Sequence, residues 1–239
     1  MFNLFKQKPK KSAIQDVQRI GGDLDFSTLE SYNLLRTNLS FAFPGKAGGK
    51  IIGITSPSPS EGKSFTAINL AYSIAKEGKK VLLIDGDMRK PSIAEKLHMS
   101  FAPGLSNLLV TMDESYIHQC DMHENLFVLT AGDIPPNPSE LIGTETMQNV
   151  LSHFAKSYDY LIVDLPPVME VPDPIIVSKY LDGVALVIMH EHSYRKDIKE
   201  CVRKLQYANA RILGFIYNGY SSNVRSYYKK HTYRHSYKK

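Results

Sequence analysis

Hydrophobic residues along the chain form two patterns, which together predict strands that alternate with helices. Short apolar runs with the length of buried strands lie at residues 50–55, 81–85, 126–130, 160–164, 183–189 and 212–218. Longer stretches in which apolar residues recur at helical spacing lie at residues 27–43, 64–76, 140–158 and 193–207. This alternation predicts an α/β domain with a mostly parallel, twisted sheet that is flanked by helices.

Residues with special backbone preferences mark some of the predicted boundaries. Ser27 or Thr28 is expected to cap the first helix. Asp173 and Pro174 are expected to open a later helix as its cap and first turn. Residues 99–125 predict only short helices. Three histidines lack the compact spacing of metal ligands and are expected at the surface: His98, His118 and His123.

The segment between the first strand and the second helix has the order of strand, loop and helix in which a phosphate-binding loop works. Backbone N–H groups around Gly62 would surround an anion, Lys63 would neutralise the outer phosphates, and the Ser64 hydroxyl would face Mg²⁺. A chance Gly-Lys-Ser after a strand is the alternative. The candidate nucleotide-binding residues of this loop are Ser58, Pro59, Ser60, Glu61, Gly62, Lys63, Ser64 and Phe65.

Carboxylates mark the ends of two further predicted strands. Asp85 and Asp87 lie at the end of the strand at 81–85, and Asp164 ends the strand at 160–164. Parallel strands bring their carboxyl ends to one edge of a sheet, where open α/β sheets bind ligands. Together with Lys63 and Ser64, these aspartates are the parts needed for Mg²⁺-dependent phosphoryl transfer. Each aspartate alone could instead cap a helix or form a turn.

Composition limits the class of protein. With 239 residues, 43% of them hydrophobic, the chain is long enough for one α/β domain with its own core. The two cysteines, Cys120 and Cys201, lie far apart, so no disulfide framework is expected. No apolar run approaches the ~18 residues of a membrane span, and no signal-peptide core follows the N-terminal lysines. These features predict a cytoplasmic protein.

Charge is distributed unevenly along the chain. The formal net charge is +5, and no acidic residue follows Glu200. A solvated tail, an acidic protein or membrane surface, and nucleic acid are the candidate reasons for this basic end, and nucleic acid is the least favoured. Residues 1–26 are expected to form a flexible basic arm, and residues 27–218 the nucleotide-binding domain. Residues 219–239, rich in Tyr and basic residues, are expected to be disordered when free.

Several of these segments resemble the motifs of bacterial tyrosine kinases. Residues 58–64, 84–91 and 163–167 are similar to the Walker A, Walker A′ and Walker B motifs of that family. Residues 131–141, Ala-Gly-Asp-Ile-Pro-Pro-Asn-Pro-Ser-Glu-Leu, resemble a further family segment, and the chain ends in a tyrosine cluster. The match is narrower with the separate cytoplasmic kinases of Gram-positive capsule and exopolysaccharide systems. It runs from about residue 28 to the C-terminus.

The resemblance implies a P-loop NTPase fold of the partition-ATPase-like group with deviant Walker motifs, and the activity of an ATP-dependent protein-tyrosine kinase. In that family Lys63 would steady the β- and γ-phosphates. Ser64, Asp87 and Asp164 would hold Mg²⁺ or its waters. Asp85 would orient or deprotonate the attacking phenol, although the roles of the aspartates could be permuted.

The resemblance also implies roles for the end of the chain. Asn218, at the end of the last predicted strand, is expected to read the adenine; a turn-forming Asn before Gly219 is the alternative. The expected phosphoacceptors are Tyr220, Tyr227, Tyr228, Tyr233 and Tyr237.

Assembly and partners follow from the resemblance as well. Residues 30–36 resemble the oligomerisation motif Glu-x-x-Arg-x-x-Arg, in which Glu30 and Arg36 would pair between subunits; Asn33 replaces the middle arginine and is expected to weaken or alter that pairing. The family implies a membrane adaptor of the polysaccharide co-polymerase type whose cytoplasmic tail activates the kinase at the inner face of the membrane. It also implies a cognate tyrosine phosphatase and a role in regulating polysaccharide synthesis and export.

Two departures and two other functions bear on this interpretation. Pro57 stands where the standard pattern has its first glycine, and Ser60 stands where the family has glycine. If that position needs φ > 0, Ser60 costs on the order of 1 kcal/mol relative to glycine. A partition-type ATPase switch would share the three motifs but would have a signature lysine where this chain has Ser58. A nucleotide-dependent scaffold without kinase activity is the third reading.

Overall fold

A computed structural model describes residues 19–219 of the chain. The strands are β1 (Lys50–Thr55), β2 (Val81–Asp85), β3 (His118–Gln119), β4 (Leu126–Leu129), β5 (Tyr160–Asp164), β6 (Gly183–Met189) and β7 (Ile212–Asn218). The helices are α1 (Phe26–Phe41), α2 (Lys63–Ala75), α3 (Ile93–Lys96), α4 (Leu105–Thr111), α5 (Pro138–Ile142), α6 (Glu145–Phe154), α7 (Asp173–Ser178) and α8 (Arg195–Tyr207). Short 3₁₀ turns lie at Gly21–Asp23 and Glu114–Tyr116.

The strands form one sheet in the order β3-β4-β2-β5-β1-β6-β7. Neighbouring strands are parallel except for β3, which runs antiparallel to β4 at one edge. β5 lies between β1 and β2, and its Asp164 is in register with Asp85 of β2. The carboxyl ends of β1, β2 and β5 therefore meet at one edge of the sheet. This confirms the prediction of a mostly parallel α/β sheet.

Helices cover both faces of the sheet, which explains why its central strands are continuous apolar runs. On one face, α1 and α2 pack against alternate residues of the strands, such as Ile52, Leu83 and Ile162. On the other face, α4, α6 and α7 pack against the residues between them, such as Leu82 and Leu161. A smaller cluster joins α8 to β6. The sheet is thereby held rigidly beneath the loops at its carboxyl edge.

The structure corrects several predicted elements. The cap of α1 is Asp25, whose carboxylate accepts hydrogen bonds from the amides of Ser27 and Thr28 at 3.0 and 3.1 Å. The single helix predicted at 140–158 is two helices, because the Thr144 hydroxyl accepts from the Met147 amide at 3.2 Å and caps a new helix. The two-residue β3 was missed because it is polar and exposed and so carries no apolar signal.

The predicted N-terminal arm ends earlier than residue 26. The amide of Gly21 donates to Asn69 Oδ1 on α2 at 2.8 Å, and Leu24 is buried in the core beside α1. These contacts make residues 21–25 part of the domain. No helix within residues 19–219 is both long enough and apolar enough to cross a membrane.

Candidate active site

The phosphate loop leads from β1 to Gly62, which is the N-cap of α2. Gly62 has φ 87°, and a Cβ at this position would lie 2.1 Å from the Nδ2 of Asn218. Glycine is therefore required both by the backbone conformation and by the close approach of the last strand. Ser60 has φ 62°, so this position does adopt the positive φ that glycine favours. Serine there costs on the order of 1 kcal/mol relative to glycine.

A buried glutamate holds the loop in shape. Glu61 is fully buried, and its carboxylate accepts hydrogen bonds from the Ser58 amide at 3.0 Å and from the Ser193 hydroxyl. Its carbonyl oxygen accepts from the Asn218 side-chain amide at 3.1 Å. Two segments that are far from the loop in sequence, at Ser193 and Asn218, thus help to fix its shape before any ligand binds. No pattern in the sequence points to Ser193, because its hydrogen bond with Glu61 forms only when β6 and β1 become neighbours in the sheet.

Lys63 lies between two of the predicted aspartates. Its Nζ is 2.9 Å from Asp87 Oδ2 and 3.8 Å from Asp164 Oδ1, and it lies 3.4 Å from the hydroxyl of Ser64. Burial alone would lower the pKa of Lys63, but the charges of Asp164 and Asp87 outweigh burial and raise that pKa above its ordinary value. The ammonium therefore stays charged, as it must to neutralise a phosphate.

Asp164 is the least satisfied polar group among the described residues. Its side chain is fully buried, and neither carboxylate oxygen has a hydrogen-bond partner within residues 19–219. Burial raises the pKa of Asp164 to about 6, although the charge of Lys63 opposes the rise. A buried carboxylate without donors is costly unless a cation compensates it.

These residues fit a magnesium ion. They do not form a complete ligand set by themselves, since within residues 19–219 no group of three or more His, Cys, Asp or Glu side chains could hold a metal ion. Mg²⁺ characteristically takes one or two carboxylates from the protein and completes its shell with phosphates and water. Asp164 and Asp87, together with the Ser64 hydroxyl, provide such a partial set beside the phosphate loop.

Asp85 has a different environment from that of the other two aspartates. It is fully buried, and one carboxylate oxygen accepts from the amides of Ser92 and Ile93, both at 3.1 Å. The other oxygen accepts from the amide of Asp87 at 3.2 Å. Burial, followed by the charge of Asp164, raises the pKa of Asp85 to about 7. These bonds tie Asp85 to the start of α3 and to the turn that carries Asp87.

The expected oligomerisation residues contact their own chain. The Arg36 guanidinium donates to Asn33 Oδ1 at 3.1 Å and to the carbonyl of Ser73 on α2 at 2.9 Å. It also forms an ion pair with Glu77, and Asn33 donates to Glu30 at 2.9 Å. Asn33, which replaces the middle arginine of the motif, thus links Glu30 to Arg36 within one subunit.

The remaining predicted site residues are placed as follows. Asn218 ends β7 and contacts the phosphate loop, and its Oδ1 accepts from the Gly219 amide at 2.8 Å, so the turn-forming alternative describes part of its role. His98 and His118 are exposed and His123 is half-buried. Asp173 does not cap α7; Pro172 is the cap, and the Asp173 carboxylate pairs with Arg89. The five expected phosphoacceptor tyrosines lie outside the described residues.

The fold and this site define a P-loop nucleotide-binding protein, and a family model described as an AAA domain matches residues 49–181. Over 202 residues the chain is 37% identical to the tyrosine-protein kinase YwqD of Bacillus subtilis, covering 83% of this chain and 84% of YwqD. It is 34% identical to the tyrosine-protein kinase ptk of Acinetobacter johnsonii over 85% of this chain, but it spans only 28% of that relative. The kinase domain of the Escherichia coli tyrosine kinase ETK superposes with a TM-score of 0.75 at 32% identity, covering 82% of this chain and 78% of that one. The chain belongs to the bacterial tyrosine-protein kinase family. The alternatives of a partition-type switch and a scaffold are not favoured by these comparisons.

Proposed function

We propose that this kinase uses Mg²⁺ and ATP to phosphorylate the tyrosines that follow Gly219 in its own chain. The observation that carries the proposal is the meeting of Lys63, Asp87 and Asp164 beside a preformed phosphate loop. A cation, a hydroxyl and two carboxylates in this arrangement suit phosphoryl transfer, in which catalysis is mainly positioning and charge stabilisation.

Each residue of the cluster has a task in this proposal. The amides of the loop and the N-terminus of α2 bind the phosphates, and Lys63 leaves its ion pair with Asp87 to neutralise the outer ones. Asp164 and Asp87, with Ser64, hold the magnesium ion. When bound, Mg²⁺ neutralises charge on the transferred phosphoryl group. Asn218 holds the loop from the side on which the family resemblance expects the adenine.

Asp85 supports this centre from inside the protein. It has no exposed surface, and its oxygens accept three backbone hydrogen bonds, so in this arrangement a phenol does not reach it. Its contact with the Asp87 amide supports a role in orienting Asp87. Direct deprotonation of the phenol by Asp85 stays a prediction, which requires the turn at residues 86–92 to open.

The test of the proposed activity compares Lys63→Met with wild type after incubation with Mg²⁺ and ATP. Mass spectrometry should find no phosphotyrosine in the variant, because removing the positive charge at the phosphates costs several kcal/mol of transition-state stabilisation. Lys179→Met, which removes an exposed lysine from the end of α7, is the matched control and should label like wild type. Full labelling of the Lys63→Met chain would contradict the proposal.

We further propose that subunits assemble through α1 and phosphorylate one another. Phe26, Leu34 and Phe41 expose 78%, 62% and 77% of their surface along one side of this helix, next to Glu30. Because Arg36 is engaged within its own subunit, the assembly should be weak. Mixing a Lys63→Met chain with an active chain whose tail tyrosines are all Phe tests transfer between subunits. An unlabelled Lys63→Met chain would exclude it.

The partners proposed for this kinase come from its family. Its match to only 28% of the ptk chain indicates that some relatives carry much additional sequence. We propose that a membrane adaptor of the co-polymerase type recruits this kinase to the inner face of the membrane and activates it for polysaccharide synthesis, with a phosphatase reversing the labelling. Adding the cytoplasmic tail of such an adaptor to the purified kinase should raise the labelling rate. Nucleic acid should not affect labelling.

A further inference from the structure

One ion pair at the carboxyl edge of the sheet, between a buried aspartate and an exposed arginine, is not used by the proposed chemistry. Arg89 follows β2, and its Nε and Nη2 donate to the two carboxylate oxygens of Asp173 at 2.9 and 3.3 Å. Arg89 Nη2 also donates to the hydroxyl of Ser139 at 2.7 Å, and that hydroxyl donates to Asp173 at 2.5 Å. The Asp173 side chain is 2% exposed, whereas that of Arg89 is 36% exposed. The cluster therefore joins the segments that follow β2, β4 and β5.

Arg89 lies in the same turn as Asp87. Asp87 Oδ1 accepts from the amide of Lys90 at 3.0 Å, while its Oδ2 faces Lys63. Asp85 holds the turn from the inside, through the amide of Asp87. The side chain of Arg89 points the other way and attaches the same turn to α5 and α7. The two attachments hold, from opposite ends, the turn that carries the Asp87 carboxylate.

A purely structural role, in which the cluster only joins α5 to α7, is less consistent with the contacts. These helices are also joined by the Tyr180 hydroxyl, which donates to the carbonyl of Gly143 at 2.9 Å. By contrast, the turn carrying Asp87 is attached to β5 by the amide of Gly86, which donates to the carbonyl of Asp164 at 2.8 Å, and to the core by the buried Met88, whose side chain is flexible. Among the side chains of this turn, that of Arg89 makes the hydrogen bonds to α5 and α7. A bidentate guanidinium–carboxylate pair does fix a direction.

We infer that Arg89, held by Asp173 and Ser139, is a positioning residue that fixes the Asp87 carboxylate for the magnesium–nucleotide site. This inference rests on the role proposed for Asp87. Outer partners of metal ligands commonly contribute 10–100-fold to metal affinity, and Arg89 acts one step further away, through the backbone of the turn. The expected effect of removing it is accordingly about tenfold, at the lower end of that range.

The experiment measures how much Mg²⁺ strengthens nucleotide binding. Fluorescent ADP is titrated with and without Mg²⁺, and the ratio of the two dissociation constants is compared between variants. Arg89→Gln should reduce this ratio about tenfold and change binding without Mg²⁺ by less than about twofold. Ser139→Ala should have a smaller effect in the same direction. Arg203→Gln is the matched control, because Arg203 also makes a two-bond pair with a carboxylate, that of Glu200 on the surface of α8, at 2.9 and 2.7 Å.

Hydrogen exchange supplies a measurement that does not involve the metal. The Lys90 amide, which donates to Asp87, should exchange faster in Arg89→Gln and at the wild-type rate in Arg203→Gln. Because glutamine at position 89 leaves a buried Asp173 charge without its partner, the double variant Arg89→Gln/Asp173→Asn is measured as well. It should fold and show the same tenfold loss.

An unchanged ratio in both Arg89 variants, or an unchanged Lys90 exchange rate, would overturn the inference. Asp87→Asn in the same titration separates the two possible failures. If Asp87→Asn lowers the ratio and the Arg89 variants do not, the positioning role alone is wrong. If Asp87→Asn also leaves the ratio unchanged, the role proposed for Asp87 fails and the inference falls with it.

Discussion

Replacing Asp164 by asparagine should flatten the pH dependence of stability of the protein without metal and nucleotide. The pKa of this buried carboxyl is raised from 3.8 to about 6, so between these values the folded state keeps a proton that the unfolded state has lost. When the folded state binds more protons, the free energy of unfolding decreases as the pH rises. The stability is fully present below about pH 4 and is lost as the pH rises through about 6.

The size of the effect follows from the shift. A change of roughly two pK units at about 1.36 kcal/mol each corresponds to about 3 kcal/mol lost between acidic and neutral pH. Asp85 adds to this loss, because burial and the charge of Asp164 raise its pKa to about 7. Asparagine at position 164 removes the first contribution and reduces the second. Its amide introduces new buried donors, which cost about 1–3 kcal/mol, but that cost is the same at every pH.

The assay is urea unfolding in the presence of EDTA at several pH values between about 4 and 7, the range in which the raised pKa values of Asp164 and Asp85 make the stability depend on pH. Wild type should lose stability steadily with rising pH, and the variant should lose distinctly less. Asp121→Asn, at an exposed position, is the control and should follow wild type. Adding Mg²⁺ and ADP should restore stability to wild type most strongly at high pH, because the ion compensates the carboxylates. Equal slopes for wild type and the Asp164 variant would refute the reasoning.

Three further changes test the site. Gly62→Ala forces a side chain towards Asn218 at a left-handed position, so it should remove nucleotide binding and lower the free energy of unfolding by about 1–3 kcal/mol; retention of wild-type affinity in a fluorescent-nucleotide titration would show that the loop adapts. Ser193→Ala leaves the buried Glu61 with one donor fewer and should lower the free energy of unfolding in urea by about 1–3 kcal/mol; no change would mean that water replaces the hydroxyl. Asp87→Asn should weaken nucleotide binding in Mg²⁺ far more than in EDTA, and equal losses by calorimetry would remove Asp87 from the metal site.

The sequence predicted those features that depend on neighbouring residues. The apolar runs placed six strands of the sheet, and the order of strand, loop and helix around Lys63 placed the phosphate loop. Parallel topology then brought Asp85 and Asp164 into register, because both end their strands. The two-residue β3 was not predicted, because it pairs with β4 through a reversal of the chain and has no apolar pattern of its own.

Contacts between distant segments could not be predicted in the same way. The bond from Ser193 to Glu61 and the pair of Arg89 with Asp173 depend on how loops meet after the sheet has formed. Asp173 illustrates the difficulty, since Asp before Pro predicts a helix cap, yet a nearby guanidinium binds its carboxylate instead. The charge-assisted hydrogen bonds from Arg89 are stronger than the helix cap that the local sequence favours.

The contact between Asn218 and the phosphate loop also has a consequence for synthesis on the ribosome. The two partners, Glu61 and Asn218, are separated by 157 positions. At about 5–20 residues per second, roughly 8–30 s pass between their incorporation. Throughout this interval the loop lacks the last strand that holds it, so a nascent or C-terminally truncated chain has the phosphate-binding motif without the completed pocket. The pocket is therefore complete only after translation has passed residue 218.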